Sequence, residues 1–280
     1  VLTYGIPSFR LPKDVVKAEI DLILAMGVDL RLNHLVGRTV SFEELEEYDA
    51  ILLGTGAGLP YFMGIPGENL SGVYSANEFL TRVNLMHAER FPEYDTPVAK
   101  MNRVVVVGGG NVAMDAARTA RRMGAQVTLV YRRREEDLPA RAAEVHHAKE
   151  EGIEFITCAN PIRILGEQAV TGIECIRMQM CNLDKSGRPI PEPIDNDTFT
   201  LDCDVVIQAI GQGPNPVLVS QIPGLDKGRA GNVVTEEDGR TSHPKIFAAG
   251  DVTTGAATVI MAMGGAKQAA RSICEMLGSR

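Results

Sequence analysis

The residues whose types and spacing can do chemistry sit near the middle of the chain. Gly108-Gly109-Gly110-Asn111-Val112-Ala113 fits the pattern G-x-G-x-x-A. Gly108 permits a tight turn after a strand. Gly110 has no side chain, so a pyrophosphate can approach the backbone there. Ala113 lets a following helix pack close to the strand. The phosphate then rests on a helix N-terminus, where free N–H groups and the dipole favour an anion.

A second group follows at the end of the next apolar run. An NAD site places Asp or Glu at that point, to accept bonds from the ribose 2′-hydroxyl. Here the residues after Val130-Tyr131 are Arg132-Arg133-Arg134. Guanidiniums suit a 2′-phosphate, which accepts forked, charge-assisted hydrogen bonds. The reading favours NADP(H) over NAD(H). The alternative is a set of solvated arginines paired with Glu135, Glu136 and Asp137.

A third group lies near the C-terminus. Thr241 to Asp251 reads as a short apolar strand ending in Gly250-Asp251, and Gly255 to Val259 leads into a helix over 260–277. An Asp at a strand tip can accept bonds from a polyol. The helix start, at Thr258 and Val259, offers N–H donors to an electron-rich ring edge. A flavin presents both features. The alternative is a plain strand–turn–helix with a capping Asp.

The elements that must position these residues are legible around them. Arg103 to Val107 is a β-branched run, the pattern of a strand buried on both faces. A helix over 111–123 stops at Gly124, and 126–131 is a second strand, which completes a βαβ unit. Leu138-Pro139 opens a helix that Gly152 stops, and 153–158 and 203–207 read as strands. The same order of signals occurs earlier: Leu11-Pro12 opens a helix ended by Gly27, 28–33 reads as a strand, and 48–53 is a strand leading into Gly54-Thr55-Gly56. Two similar dinucleotide-binding domains are expected, the first cut short at its N-terminus. Residues 161–201 read as an insertion in the second copy. They form an antiparallel hairpin with a turn at 184–187 and a mobile, proline-rich tip over 188–197. The Pro97-Val98 and Gly211 to Pro214 crossings are candidate hinges.

Composition narrows the class. The net charge of −8 does not suggest nucleic acid as a partner, and no apolar run is long enough for a membrane span. The five cysteines include no C-x-x-C pair and fit reduced, mostly buried thiols of a cytoplasmic protein. His146 and His147 are helix neighbours that face different ways, and the other histidines are isolated.

Several stretches occur together in one order: Tyr4 to Lys13, Leu53 to Ala57, Val107 to Ala113, Tyr131 to Arg134 with Leu138 to Arg141, Ala209-Ile210-Gly211-Gln212, and Phe247 to Asp251. In this the chain resembles the glutamate synthase small (beta) subunit family over its whole length. The resemblance implies an α/β fold of two Rossmann-like domains, with an NADPH domain (98–212) inserted into an FAD domain (1–97 and 213–280). It implies that Gly108, Gly110, Asn111, Val112, Ala113 and Arg132 to Arg134 hold NADPH, and that Gly211 belongs to the cofactor-binding set. Gly54, Thr55, Gly56, Gly250, Asp251, Thr258 and Val259 would flank FAD. NADPH would reduce FAD, and electrons would pass to iron–sulfur clusters and a partner subunit. The family's cysteine-rich cluster region and first FAD glycine motif have no counterpart in this sequence, and Asp137 departs from the arginine of the related thioredoxin reductases. A second reading is an NADP(H)-binding module without flavin or turnover.

Overall fold

A computed structural model describes residues 1–184 and 187–278, so Lys185 and Ser186 of the expected turn lie outside the described residues. In chain order the strands are β1 (Ile51–Leu53), β2 (Leu59–Pro60), β3 (Val73–Ser75), β4 (Arg103–Val107), β5 (Gln126–Tyr131), β6 (Glu154–Thr157), β7 (Ala159–Gly166), β8 (Val170–Leu183), β9 (Pro189–Asp202), β10 (Val205–Gln208), β11 (Gln212–Gly213) and β12 (Ile246–Ala248). The α-helices are α1 (Lys13–Ala25), α2 (Phe42–Leu45), α3 (Ala76–Asn84), α4 (Asn111–Arg122), α5 (Ala142–Glu150), α6 (Pro216–Val219), α7 (Asp251–Thr254) and α8 (Val259–Met276).

Contacts group the chain into two units. The first joins Val1–Gly27 to Phe62–Ile210, and the second joins Val28–Tyr61 to Gly211–Arg280. These edges differ from the boundaries at 97 and 212, and Pro97-Val98 lies inside the first unit. The reason is local packing: β3 pairs with β10 in the main sheet, and α3 contributes Phe79 and Leu80 to the core around Val104 and Val106.

The first unit is built on a parallel sheet of order β3-β10-β4-β5-β6. The run in β4 shows why its residues are β-branched. Val104 and Val106 face α3 and α4, whereas Val105 and Val107 face a second, antiparallel sheet of order β7-β8-β9. Both faces are covered, so every position from Val104 to Val107 must be apolar. Helix α4 reaches the strand through Ala113, Ala116, Ala117 and Ala120, all with zero exposure. The expected insertion is therefore a β-meander that forms one wall of this unit. Its proline-rich arm is not a loose tip: Pro189, Pro191 and Pro193 stand in register with Leu183, Met180 and Met178 in the outer strand β9. A sheet edge accommodates prolines because their missing N–H groups can face away from the ladder.

The N-terminal segment is tied to this unit by charge. Arg10 donates to both oxygens of Asp115 at 2.7 and 2.8 Å and pairs with Glu144 at 3.1 Å. Arg118, only 7% exposed, bridges Glu144 and Glu151 at 3.0 and 2.9 Å. The Phe9 ring lies under Arg118 and Arg122, at 4.7 and 4.0 Å. Helix α4 thus turns its alanines to the sheet and a chain of paired charges to α5 and the N-terminal segment.

In the second unit β1 and β12 pair in parallel over a core of Phe42, Leu218, Val219, Ile222 and Val252. Ser41 and Glu44 close a capping box at α2. The strand expected at 28–33 does not form. Val28, Leu30 and Leu32 are exposed, and no strand among the described residues pairs with them. Alternating apolar residues make a strand only where a neighbour supplies the ladder. Helix α5 starts at Ala142, later than Pro139 suggests, after a 3₁₀ turn over Glu135–Asp137. The cysteines also differ from expectation: only Cys175 and Cys203 are buried, and Cys274 is exposed.

Burial pushes the Asp115 carboxyl up to about 6, against the pull of Arg10. Removing Arg10 raises it further, while the unfolded chain still ionises near 3.8. Above that raised pKa the folded protein then holds a carboxylate that has lost its hydrogen-bonded partner and keeps only the weaker pull of Arg118, and below it a neutral acid. Arg10→Met is expected to cost about 3 kcal/mol at pH 8 and distinctly less at pH 5, where the folded chain binds the extra proton more readily than the unfolded one. Denaturant titrations at the two pH values check this, and an equal loss at both would refute it.

Candidate nucleotide and flavin sites

The glycine loop leaves the end of β4, and its three glycines have different causes. Gly108 adopts φ +140, and a Cβ there would stand 2.3 Å from the Ala209 carbonyl oxygen at the end of β10. A Cβ on Gly109 would stand 2.7 Å from the Tyr131 ring and from Leu138. Both positions are glycine because the protein itself occupies the space. A Cβ on Gly110 would meet nothing within 4 Å, and its backbone is extended at φ −85. Gly110 is the N-cap of α4, and no side chain caps that helix start. Open room before an uncapped helix N-terminus is what a pyrophosphate needs, so these residues fit a dinucleotide phosphate.

The neighbours of the loop take distinct parts. Asn111 does not point its oxygen into free space: Oδ1 accepts the Arg141 N–H at 3.0 Å at the start of α5. The Gly109 carbonyl accepts from Ala140 N–H at 3.1 Å, so loop and α5 are clasped twice. Val112 is 40% exposed at the rim, and Ala113 is wholly buried against the sheet.

The parallel pairing of β4 with β5, Val107 beside Val130, brings the three arginines to the same end of the sheet. They are not equivalent. Arg132 is exposed, and no partner engages it among the described residues. Arg133 is 8% exposed and donates through Nε to the Pro189 carbonyl at 2.8 Å. Arg134 pairs with Glu136 at 3.1 Å and Asp137 at 3.0 Å, and it holds the Asp137 carboxyl below its usual range. The surface-pairing alternative therefore describes Arg134, while Arg132 is left available to an anion. Sequence reasoning passed over Gly109, Tyr131 and Leu138. The Tyr131 hydroxyl donates to the Asp137 carbonyl at 2.9 Å, which fixes the ring against the loop. An aromatic at a strand end carries no such signal by itself.

In the second unit the flavin candidates gather at two adjacent strand ends, because Leu53 of β1 stands beside Ala248 of β12. Gly54 and Gly56 have open space around them, and Gly56 is left-handed at φ +70. Gly250, at φ +79, is the N-cap of α7, where a Cβ would lie 3.3 Å from Ala262. Asp251 Oδ1 accepts the Ala257 N–H at 3.2 Å, and the Thr258 hydroxyl accepts the Met261 N–H at 3.4 Å as the cap of α8. Both side chains thus have local capping work. Val259 and Ile260 are exposed at 37% and 77%. Gly211, at φ +116, accepts through its carbonyl from Tyr61 N–H at 3.0 Å, beside the short β2–β11 ladder. A cavity of about 170 Å³ beside Gly250 is lined in part by Glu236, Glu237, Thr253 and Thr254. Open glycines after a parallel strand fit part of a flavin nucleotide. The fit is less complete than at Gly110.

All five cysteines are free thiols. Burial pushes Cys175 and Cys203 up to about 12, so neither presents a thiolate near neutral pH.

Comparison with known proteins agrees with this architecture. The description "Pyridine nucleotide-disulphide oxidoreductase" matches residues 12–270. The NADP(+)-dependent formate dehydrogenase subunit beta of Moorella thermoacetica is 39% identical over 99% of this chain and 39% of its own length. The glutamate synthase (NADPH) small chain of Halomonas elongata is 37% identical over 99% of this chain and 60% of its own. The chain therefore spans less than two thirds of the length of these two relatives. The Mycobacterium tuberculosis FprA structure in complex with NADPH shares the fold, with a TM-score of 0.78, 22% identity, and coverage of 99% of this chain and 75% of that one. The chain thus belongs to the pyridine nucleotide-disulphide oxidoreductase family, whose fold has two Rossmann-like domains, and is similar within it to the glutamate synthase small chains.

Proposed function

We propose that this chain is the nicotinamide- and flavin-binding part of an NADPH-dependent oxidoreductase that passes electrons onward to an iron–sulfur centre or partner subunit. The observation that carries the reading is the open space at Gly110 before the uncapped start of α4, with Arg132 unpaired at the neighbouring strand end. Several relatives are subunits by name, including the Moorella formate dehydrogenase subunit beta and the glutamate synthase small chains. This supports a partner subunit here.

When bound, the two cofactors supply hydride transfer between nicotinamide C4 and flavin N5. The chain's own residues bind and orient. The first N–H groups of α4, at Asn111 and Val112, hold the pyrophosphate, and Arg132 takes the 2′-phosphate. Arg133 and Arg134 support that strand end through Pro189, Glu136 and Asp137. Gly54, Thr55, Gly56, Gly211, Gly250, Asp251, Thr258 and Val259 line the flavin side. No side chain is assigned a proton-transfer or nucleophilic role, because hydride transfer needs near-contact geometry and not a base.

The second reading, an NADP(H)-binding module without flavin, draws on the capping roles of Asp251 and Thr258. Incubation with FAD followed by desalting separates the two. The first reading expects retained flavin absorption that NADPH bleaches under anaerobic conditions. A colourless protein that still binds NADPH would favour the second.

Gly110→Val fills open space, so it is expected to weaken NADPH binding by about tenfold or more while lowering the melting temperature only slightly, through a poorer N-cap. Gly109→Ala drives a methyl into Tyr131 and Leu138, and it should lower the melting temperature first. Fluorescence titration and thermal melts of both variants check the contrast. The parent protein should prefer NADPH to NADH by about tenfold or more, and Arg132→Met should erase most of that preference. Equal affinity of the parent for the two nucleotides would overturn the NADP(H) assignment.

A further inference from the structure

We infer that Arg188, which enters from the β8–β9 hairpin, is a specificity-determining residue for the 2′-phosphate and acts beside Arg132. The inference rests on the nucleotide site proposed above. The positive charges at the end of β5 are unequally engaged. Arg133 spends its Nε–H on the Pro189 carbonyl, and Arg134 is offset by the carboxylates of Glu136 and Asp137. Of the three consecutive arginines, Arg132 alone is free of partners among the described residues. A phosphate dianion is better matched by two forks than by one.

The hairpin supplies the second fork. The Arg188 Nη2 lies 3.4 Å from the Tyr131 hydroxyl oxygen and 3.4 Å from the Asp137 carbonyl oxygen. Both acceptors are neutral, and both contacts are long for a guanidinium donor, whose bonds cluster nearer 2.9 Å. Among the described residues no carboxylate forms an ion pair with Arg188. The side chain is therefore placed but not neutralised, and most of its five donors remain for a ligand.

Two features keep it beside the nucleotide loop. The Tyr131 ring it touches is the ring that packs against Gly109, so the guanidinium stands one aromatic side chain away from the phosphate-binding turn. The Arg133 bond to Pro189 pins the very next residue of the hairpin to the end of β5. The backbone of Arg188 is fixed as well. Its N–H donates to Asp184 Oδ1 at 3.0 Å, and its carbonyl accepts from Asp184 N–H at 2.8 Å. Arg133 then acts as a positioning residue: it holds the arm that carries Arg188.

The test is a set of equilibrium titrations with NADPH, NADH and 2′,5′-ADP on the full chain. Arg188→Met is expected to weaken NADPH and 2′,5′-ADP by about tenfold and to change NADH by less than about twofold, with an unchanged melt, because the side chain is exposed. Arg188→Lys keeps the charge without the planar fork and should recover part of the loss. Arg133→Met should weaken NADPH in the same selective way, and adding it to Arg188→Met should cause little further loss. If Arg188→Met leaves NADPH affinity intact while Arg132→Met weakens it, the inference fails and the nucleotide site stands. An equal loss for NADPH and NADH in Arg188→Met also overturns it, as a structural effect. If the parent does not distinguish NADPH from NADH, the underlying site assignment fails too.

Discussion

At Gly108 the backbone of β4 passes so close to the end of β10 that the Ala209 carbonyl occupies the place of a side chain. The rest of the first unit follows from that approach. The chain can turn out of β4 only through a glycine, and it enters α4 at once. The helix must then lie flat on the sheet, which its row of alanines permits. Because strand and helix are locked so near each other, the start of α4 is held at a fixed height above the sheet. A pyrophosphate cradle needs that rigidity, since backbone N–H groups cannot reach for a ligand as side chains can.

The price of the short alanines is that α4 has little apolar surface left for its other neighbours. The structure answers with charge. Asp115, Arg118 and Glu144 are held in a chain of ion pairs that begins at Arg10 and ends at Glu151 and Arg122. Such pairs add modest net stability compared with apolar packing, but they are unforgiving of a missing partner. Their effect is one of register. The N-terminal segment and α5 can dock on α4 in the one arrangement that leaves no buried charge alone.

Much of the first unit was legible in the sequence, because β4, α4 and β5 carry local signals that agree with their tertiary roles. The run from Arg103 to Val107 is β-branched throughout, and Gly124 marks the helix end. The failures have a common cause. Residues 28–33 alternate as a strand should, yet strand formation depends on a neighbour that local pattern does not report. The prolines of β9 read as a loop, yet an outer strand tolerates them. The site shows the same division. Gly110 and the arginines were visible as a motif. The difference between Arg132, Arg133 and Arg134 was not, because it is made by Pro189, Glu136 and Asp137. The contribution of Arg188 depends on hairpin register, which no spacing along the chain reveals.

The placement of Pro189, Pro191 and Pro193 has a consequence for how this protein behaves in a crowd. Alternate residues of an extended chain aim their amides the same way, so three prolines at this spacing strip the outer margin of β9 of three successive donors. An approaching strand from another molecule finds no N–H donor at Pro191 or Pro193, and the Pro189 carbonyl is already taken by Arg133. The proline-bearing part of β9 can thus stand in solvent without offering a full template for polymerisation.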